Sequence, residues 1–420
     1  MSRRVVITGM GVVSPLGNDL HTFWEALMSG KSGAGLISKF DTGKFKTKIA
    51  CEIKNFNPED FGISKKEVNR LDLYTQYALA SVYQAIHATK LLEYAALNRE
   101  RVGVIWGSGK GGVTTIYEGM AEYFKNDETP RFSPFFIPKI LIDIASGHIS
   151  MKYKFTGPSF ATISACATSS NSIIDAFNYI KLNKADVIIT GGSEASINPM
   201  AIGGFNGLHA LSMNNEAPGS ASKPFDKGRD GFVMGEGGAA LIVESLEHAQ
   251  QRGAKIYAEI VGTGMTSDAY HLTAPHPEGK GAIRAMEIAL QEAHLKPEHI
   301  DYINAHATST PVGDIAELGA ISKLFGGLSH KIDVSSTKGA MGHLLGAAGA
   351  IEAIVCVLAI ENQTLPYTLN LKEVDVAAPK DINLLIDKVK IKKISTTLSN
   401  NFGFGGHNTS IIFEKFQYSK

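Results

Sequence analysis

Phe160-Ala-Thr-Ile-Ser164-Ala-Cys166-Ala-Thr-Ser-Ser170 runs directly into Asn171-Ser-Ile-Ile174-Asp-Ala-Phe177-Asn-Tyr-Ile180. The β-branched opening reads as a strand, and Ile173, Ile174, Phe177 and Ile180 fall at helical spacing. The stretch is therefore strand, turn, helix, with Cys166 among small residues where the helix begins. Unpaired N–H groups and the helix dipole at that end favour thiolate over thiol. Small neighbours leave room for a carbonyl to approach the sulfur. A free cysteine is more often a buried structural residue, and on this stretch alone both readings stand.

Outward from this point the same grammar repeats. Short β-branched runs such as Val5-Val-Ile-Thr8, Val102-Gly-Val-Ile-Trp106, Val187-Ile-Ile-Thr190 and Ala240-Leu-Ile-Val243 alternate with longer helical patterns. That is the pattern of an α/β protein with buried sheets. Val5-Val-Ile-Thr-Gly-Met-Gly11 has an echo in Ile260-Val-Gly-Thr-Gly-Met265. The strand-to-helix passage around Cys166 has one in Val334-Ser-Ser-Thr-Lys-Gly-Ala-Met-Gly-His343, which precedes an apolar helix. Two similar halves are expected, residues 1–253 and 254–420, bringing corresponding helix N-termini face to face.

The bulk numbers narrow the function. A chain of 420 residues, 44% hydrophobic, is long enough for a large core. Its 41 basic and 41 acidic residues cancel, which argues against nonspecific nucleic-acid binding. Three widely separated cysteines without a CxxC exclude a disulfide framework and a zinc knuckle. The arginines and apolar run at the N-terminus imitate a signal peptide, but Gly9 and Gly11 break the run and Ser14-Pro15 ends it. The apolar stretch Leu344–Ile360 carries Glu352 at its middle, against a membrane span. A cytoplasmic protein is expected, or an organellar one if a transit peptide has been removed.

Gly107-Ser-Gly109-Lys-Gly-Gly112 matches a nucleotide-binding glycine pattern. Val113-Thr-Thr-Ile-Tyr117 does not continue as a clean helix, and no Walker lysine follows, so the match is read as a decoy. Chemistry points elsewhere. His306 lies in the hydroxyl-rich loop Asn304-Ala-His-Ala-Thr308-Ser-Thr310-Pro after the strand-like Ile300–Ile303. His343 follows Lys338-Gly-Ala-Met-Gly. With Cys166 these form a Cys-His-His set suited to acyl-thioester chemistry. Glu352, in a helix apolar on every face, needs a partner: Lys338 or a monovalent cation would serve. Ser399-Asn-Asn-Phe402-Gly-Phe404-Gly-Gly-His-Asn408 reads as a mobile, glycine-hinged loop bearing two aromatics, either core plugs or a gate.

Taken together, these motifs resemble the elongating β-ketoacyl-[acyl-carrier-protein] synthases, the synthase I/II class of the thiolase superfamily, and most of all synthase II. Pro224-Phe-Asp-Lys-Gly-Arg-Asp-Gly-Phe-Val-Met-Gly-Glu-Gly237 completes the set, and order and spacing agree along essentially the whole chain. The resemblance implies a thiolase fold, duplicated βαβαβ halves stacked as a five-layered αβαβα sandwich. It implies that Cys166 takes the acyl chain, that the N–H groups of Cys166 and Phe404 form an oxyanion hole, and that His306 and His343 bind the malonyl thioester carbonyl. By the same analogy Lys338 pairs with Asp314 or Glu352, Thr308 and Thr310 hold the phosphopantetheine arm, and Phe402 lines the substrate site. Asn304, Glu352, Ser399 and Asn400 match positions around a structural monovalent cation, Na+ or K+; no other cofactor is implied. Implied partners are acyl carrier protein, docking at Lys65, Lys66 and Arg70 (otherwise a solvated helix face), and a second copy of the chain.

One residue departs from the family pattern. Lys110 stands where an apolar residue usually lines the acyl pocket; it either snorkels or shortens or polarises that pocket. Rival readings are a ketosynthase of a specialised polyketide-like pathway and a non-catalytic chain-length-factor subunit. The second generally lacks the nucleophile that is present here. A degradative thiolase would carry a second cysteine near Gly403–Asn408, and a starter-type synthase usually has Asn where His343 stands.

Overall fold

The computed structural model describes residues 3–328 and 331–417. The strands of its main sheet, in chain order, are β1 (Val5–Val13), β2 (Val102–Gly107), β3 (Ser159–Thr162), β4 (Val187–Glu194) and β5 (Gly237–Ser245) in the first half. The second half holds β6 (Ala258–Ser267), β7 (Tyr302–Asn304), β8 (Asp333–Ser335), β9 (Asn383–Leu384), β10 (Thr396–Gly403) and β11 (His407–Glu414). They join laterally in the order β9-β8-β7-β10-β11-β6-β1-β5-β4-β2-β3. The order shows the duplication: reading outward from β1 and from β6, each half has two antiparallel pairings and then parallel ones. The halves meet where Val5, Val6 and Ile7 of β1 lie antiparallel to Ile260, Glu259 and Ala258 of β6.

Five helices place the layers: α1 (Leu73–Thr89), α2 (Thr168–Lys181), α3 (Lys280–Ala293), α4 (Pro311–Phe325) and α5 (Ala348–Asn362). Helix α1 covers the outer face of β1, β5 and β4, while α3 covers β6 and β11 and packs on α4. Between the two halves of this sheet lie α2 and α5, in contact with each other and with strands of both halves. This is the expected αβαβα sandwich, with the catalytic candidates at its centre.

The middle layer explains the composition of α5. Every residue from Ala348 to Ile360 is buried, so the stretch Leu345–Asn362, apolar and long enough to cross a membrane by composition alone, is the core helix of the fold. Each Leu, Ile or Val buried there contributes about 1.5–3 kcal/mol. Two local expectations are revised. A helix, Val113–Lys125, does follow Gly112; its β-branched start is tolerated because Asp72 Oδ2 accepts from Thr115 N (3.1 Å) and Oγ1 (2.6 Å). The Ser399–Asn408 segment is mostly a β10–β11 hairpin, Ser399 pairing with Ile411 and Gly403 with His407. Only the turn Phe404–Gly406 lies outside the strands; Gly405 and Gly406 there have φ of 88° and 75°, which side chains disfavour.

Candidate active site

Strand β3 ends at Thr162, and a single 3-10 turn, Ala165–Ala167, joins it to α2. Cys166 sits in that turn, two residues before the helix proper begins at Thr168. Thr168 ties it down, its hydroxyl accepting from Ser164 N (2.8 Å) and donating to the Ala165 carbonyl (2.7 Å). From the second half, His306 comes in on the loop after β7. His343 follows the short helix Lys338–Met341, its backbone bridged to Met234. The ligating atoms of Cys166, His306 and His343 all lie within 4.8 Å of one another. The imidazole centroids are 5.3 Å apart and nearly perpendicular, at 85°.

These three side chains line a cavity of about 510 Å³, together with Lys110, Thr308, Thr310, Phe402 and Phe404. Phe402 lies 6.0 Å from the His306 ring and Phe232 lies 5.3 Å from that of His343. The Thr308 and Thr310 hydroxyls are 3.2 Å apart. His306 Nδ1 and both ring nitrogens of His343 are buried without a hydrogen-bond partner among the described residues. A neutral imidazole carries one N–H donor and one acceptor nitrogen, so the lining histidines each have an N–H to offer a ligand oxygen.

Burial pushes the Cys166 thiol up to about 11, against the pull of Lys110, Lys338 and the Phe404 N–H. The expected thiolate is therefore not the resting form: desolvation outweighs the helix end. Burial and the Lys338 charge hold both histidines well below their ordinary range, so both are neutral at pH 7.

Lys338 selects one of its two expected partners. Its ammonium donates to Glu352 Oε1, and both groups are fully buried. The second Glu352 oxygen accepts from Asn401 Nδ2 (2.6 Å). Asp314 is paired with Arg229 instead (3.5 Å), and accepts from the N–H groups of Phe225, Ser309 and Thr310. Asp314 thus holds the Thr308–Thr310 loop, one turn of α4 away from it. Glu317, the next acid on α4, escaped the sequence reading. Its carboxylate accepts from the backbone N–H of His306 (2.9 Å) and Ala307 (2.7 Å), and burial pushes it up to about 7. The i, i+3 spacing of Asp314 and Glu317 beside a histidine loop was the available signal.

Of the four suggested cation ligands, Asn304 and Ser399 pair in register on β7 and β10. Asn304 Oδ1 and Ser399 Oγ are buried and make no hydrogen bond among the described residues. Glu352 is engaged as above, and Asn400 Oδ1 accepts from Ser410 Oγ (2.7 Å). Lys65 and Lys66 are exposed on a four-residue helix closed by a Ser64–Glu67 capping box. Arg70 is exposed too, its guanidinium 5.1 Å from the centre of the Phe135 ring.

The family model for the beta-ketoacyl synthase N-terminal domain matches residues 2–249, and that for the C-terminal domain matches residues 257–372. The chain is 46% identical over 413 residues to a 3-oxoacyl-[acyl-carrier-protein] synthase 2 of Coxiella burnetii, covering 98% of this chain and 99% of that one. It is 46% identical over 416 residues to the protein of the same name from Staphylococcus aureus, covering 99% of each. Among solved structures, the ishigamide ketosynthase/chain length factor superposes with a TM-score of 0.93 at 30% identity, over 99% of this chain and 100% of that one. A beta-ketoacyl synthase of Burkholderia phymatum gives 0.91 at 33%, with the same coverage. A type II PKS acyl-carrier protein in complex with its ketosynthase gives 0.90 at 30%, again over 99% and 100%.

Proposed function

The chain belongs to the beta-ketoacyl synthase family, and from that premise we infer that it is an elongating 3-oxoacyl-[acyl-carrier-protein] synthase of fatty acid biosynthesis. The observation that carries this reading is the meeting of Cys166, His306 and His343 within 4.8 Å at the wall of one cavity. A non-catalytic chain-length factor has no use for that arrangement.

In the first half-reaction Cys166 Sγ attacks the thioester carbonyl of acyl carrier protein. The oxyanion is held by the N–H groups of Cys166 and Phe404. The carrier thiol leaves with the proton that Cys166 gives up. In the second, malonyl carrier protein enters along Thr308 and Thr310, and neutral His306 and His343 each donate one N–H to its carbonyl oxygen. Decarboxylation releases CO2 and leaves an enolate whose charge those donors stabilise. The enolate carbon attacks the acyl-Cys166 carbonyl and forms the new C–C bond. The sulfur departs, regains a proton, and the product is a 3-oxoacyl chain two carbons longer. Lys338, held by Glu352, keeps the histidines unprotonated; Glu317 positions His306.

No redox or nucleotide cofactor is needed for these steps. Asn304 Oδ1 and Ser399 Oγ would hold a structural Na+ or K+. Lys65, Lys66 and Arg70 form the docking face for the acidic carrier. A homodimer is supported by β3, which ends the sheet, beside the exposed Ile163. The compartment we assign is the cytoplasm. Purified protein, malonyl carrier protein and a ladder of acyl primers should yield 3-oxoacyl products two carbons longer by mass spectrometry. Loss of CO2 without chain growth, or no reaction, would refute the assignment.

A further inference from the structure

Lys110 follows β2 in a loop that lines the same cavity as Cys166. Its ammonium nitrogen is buried and makes no hydrogen bond among the described residues. One face is covered by the Phe205 ring, whose centre is 4.4 Å away. The cavity it shares with Cys166 also has apolar lining, including Leu208, Phe232 and Leu345. The nearby carboxylate, Glu194, is already occupied. Its Oε2 accepts from Gly109 N (2.9 Å) and Gly346 N (3.1 Å), and its Oε1 from Ser196 Oγ (2.9 Å). Glu194 therefore offsets the Lys110 charge through space without satisfying its N–H groups. A saturated hydrocarbon chain entering this cavity would leave those N–H groups unpaired and dry, which is unfavourable.

We propose that Lys110 is a specificity-determining residue whose ammonium donates a hydrogen bond to a neutral oxygen, hydroxyl or keto, on the chain carried by Cys166. This rests on the acyl-enzyme reading above and extends it: saturated chains still load, more slowly than chains that carry such an oxygen. A neutral oxygen fits better than a carboxylate, because Glu194 already supplies the compensating negative charge and would repel a second one.

The test measures Cys166 acylation rates by intact-protein mass spectrometry, using carrier-bound chains of equal length. The chains are saturated, hydroxy- or keto-substituted, ω-carboxylated and polyunsaturated. Wild type should favour the hydroxy or keto chain over the saturated one by about ten-fold or more, as a charge-assisted hydrogen bond supplies. Lys110→Met should erase that ratio, and Lys110→Arg should retain part of it. An unchanged ratio in Lys110→Met overturns the proposal. So does an effect confined to the carboxylated or polyunsaturated chain, or a change in dimer dissociation with selectivity intact, which would mean that a second copy pairs the ammonium. Acylation by the saturated chain in both proteins reports on the underlying reading separately. If no chain loads onto Cys166, that reading fails and Lys110's role with it.

Discussion

The two halves of the molecule contain the same turn put to different uses. In the first, Ala165 at φ 50° opens a 3-10 turn into α2; in the second, Leu345 at φ 51° opens one into α5. Each left-handed non-glycine residue costs of order 1–3 kcal/mol, so the strain is duplicated along with the fold. The next residue differs. In the first half it is Cys166, which aims a sulfur at the cavity; in the second it is Gly346, which offers only an N–H, to Glu194. A Cβ on Gly346 would meet Gly109 N at 2.3 Å. Duplication thus supplied two matching backbone devices, of which the proposed mechanism uses one for chemistry while the other braces it.

The strongest way to break this comparison is to exchange the chemistry. Cys166→Ala should lower elongation by at least about a thousand-fold, as loss of a covalent nucleophile does, while the melting temperature barely moves. An equal loss of stability would make the first turn structural like the second. A pH series on the intact enzyme comes next. Because burial raises the Cys166 thiol to about 11, its thiolate fraction is small at pH 7 and grows about ten-fold per pH unit up to that value. Iodoacetamide labelling should climb steadily from pH 7 to 10; a plateau near neutrality would show the helix end winning over burial.

Smaller effects sharpen the picture of the brace. Lys338→Met leaves Glu352 buried and unpaired, and should cost about 3–5 kcal/mol by denaturant unfolding. A near-neutral result would mean that the glutamate is protonated or finds another cation. Gly346→Ala should cost about 1–3 kcal/mol from overpacking, whereas a tolerated alanine would show the second turn to be loose. Last, reversing the charge of Lys65, Lys66 and Arg70 together should raise KM for carrier protein several-fold with kcat preserved. An unchanged KM would move the docking face elsewhere on the first half.

What was legible in the sequence was local or periodic. Strand runs, the apolar α5, the small-residue turn at Cys166 and the paired histidine loops each carry their signal within a few residues, because backbone geometry and side-chain period act at that range. The glycine-rich Ser399–Asn408 segment misled, since its buried small and amide residues look like a loop until β7 and β11 flank them. Val113–Tyr117 misled for a similar reason: Asp72, far off in sequence, supplies the contacts that start that helix.

The order of elements, the duplication and the chemical types at the site were thus determined by the chain alone. Only the tertiary structure decided that Lys338 chooses Glu352 over Asp314, that Glu317 fastens His306, and that the Cys166 thiol is raised instead of lowered. Those outcomes depend on distance and on exclusion of water, and both come into being when the two halves close on one another.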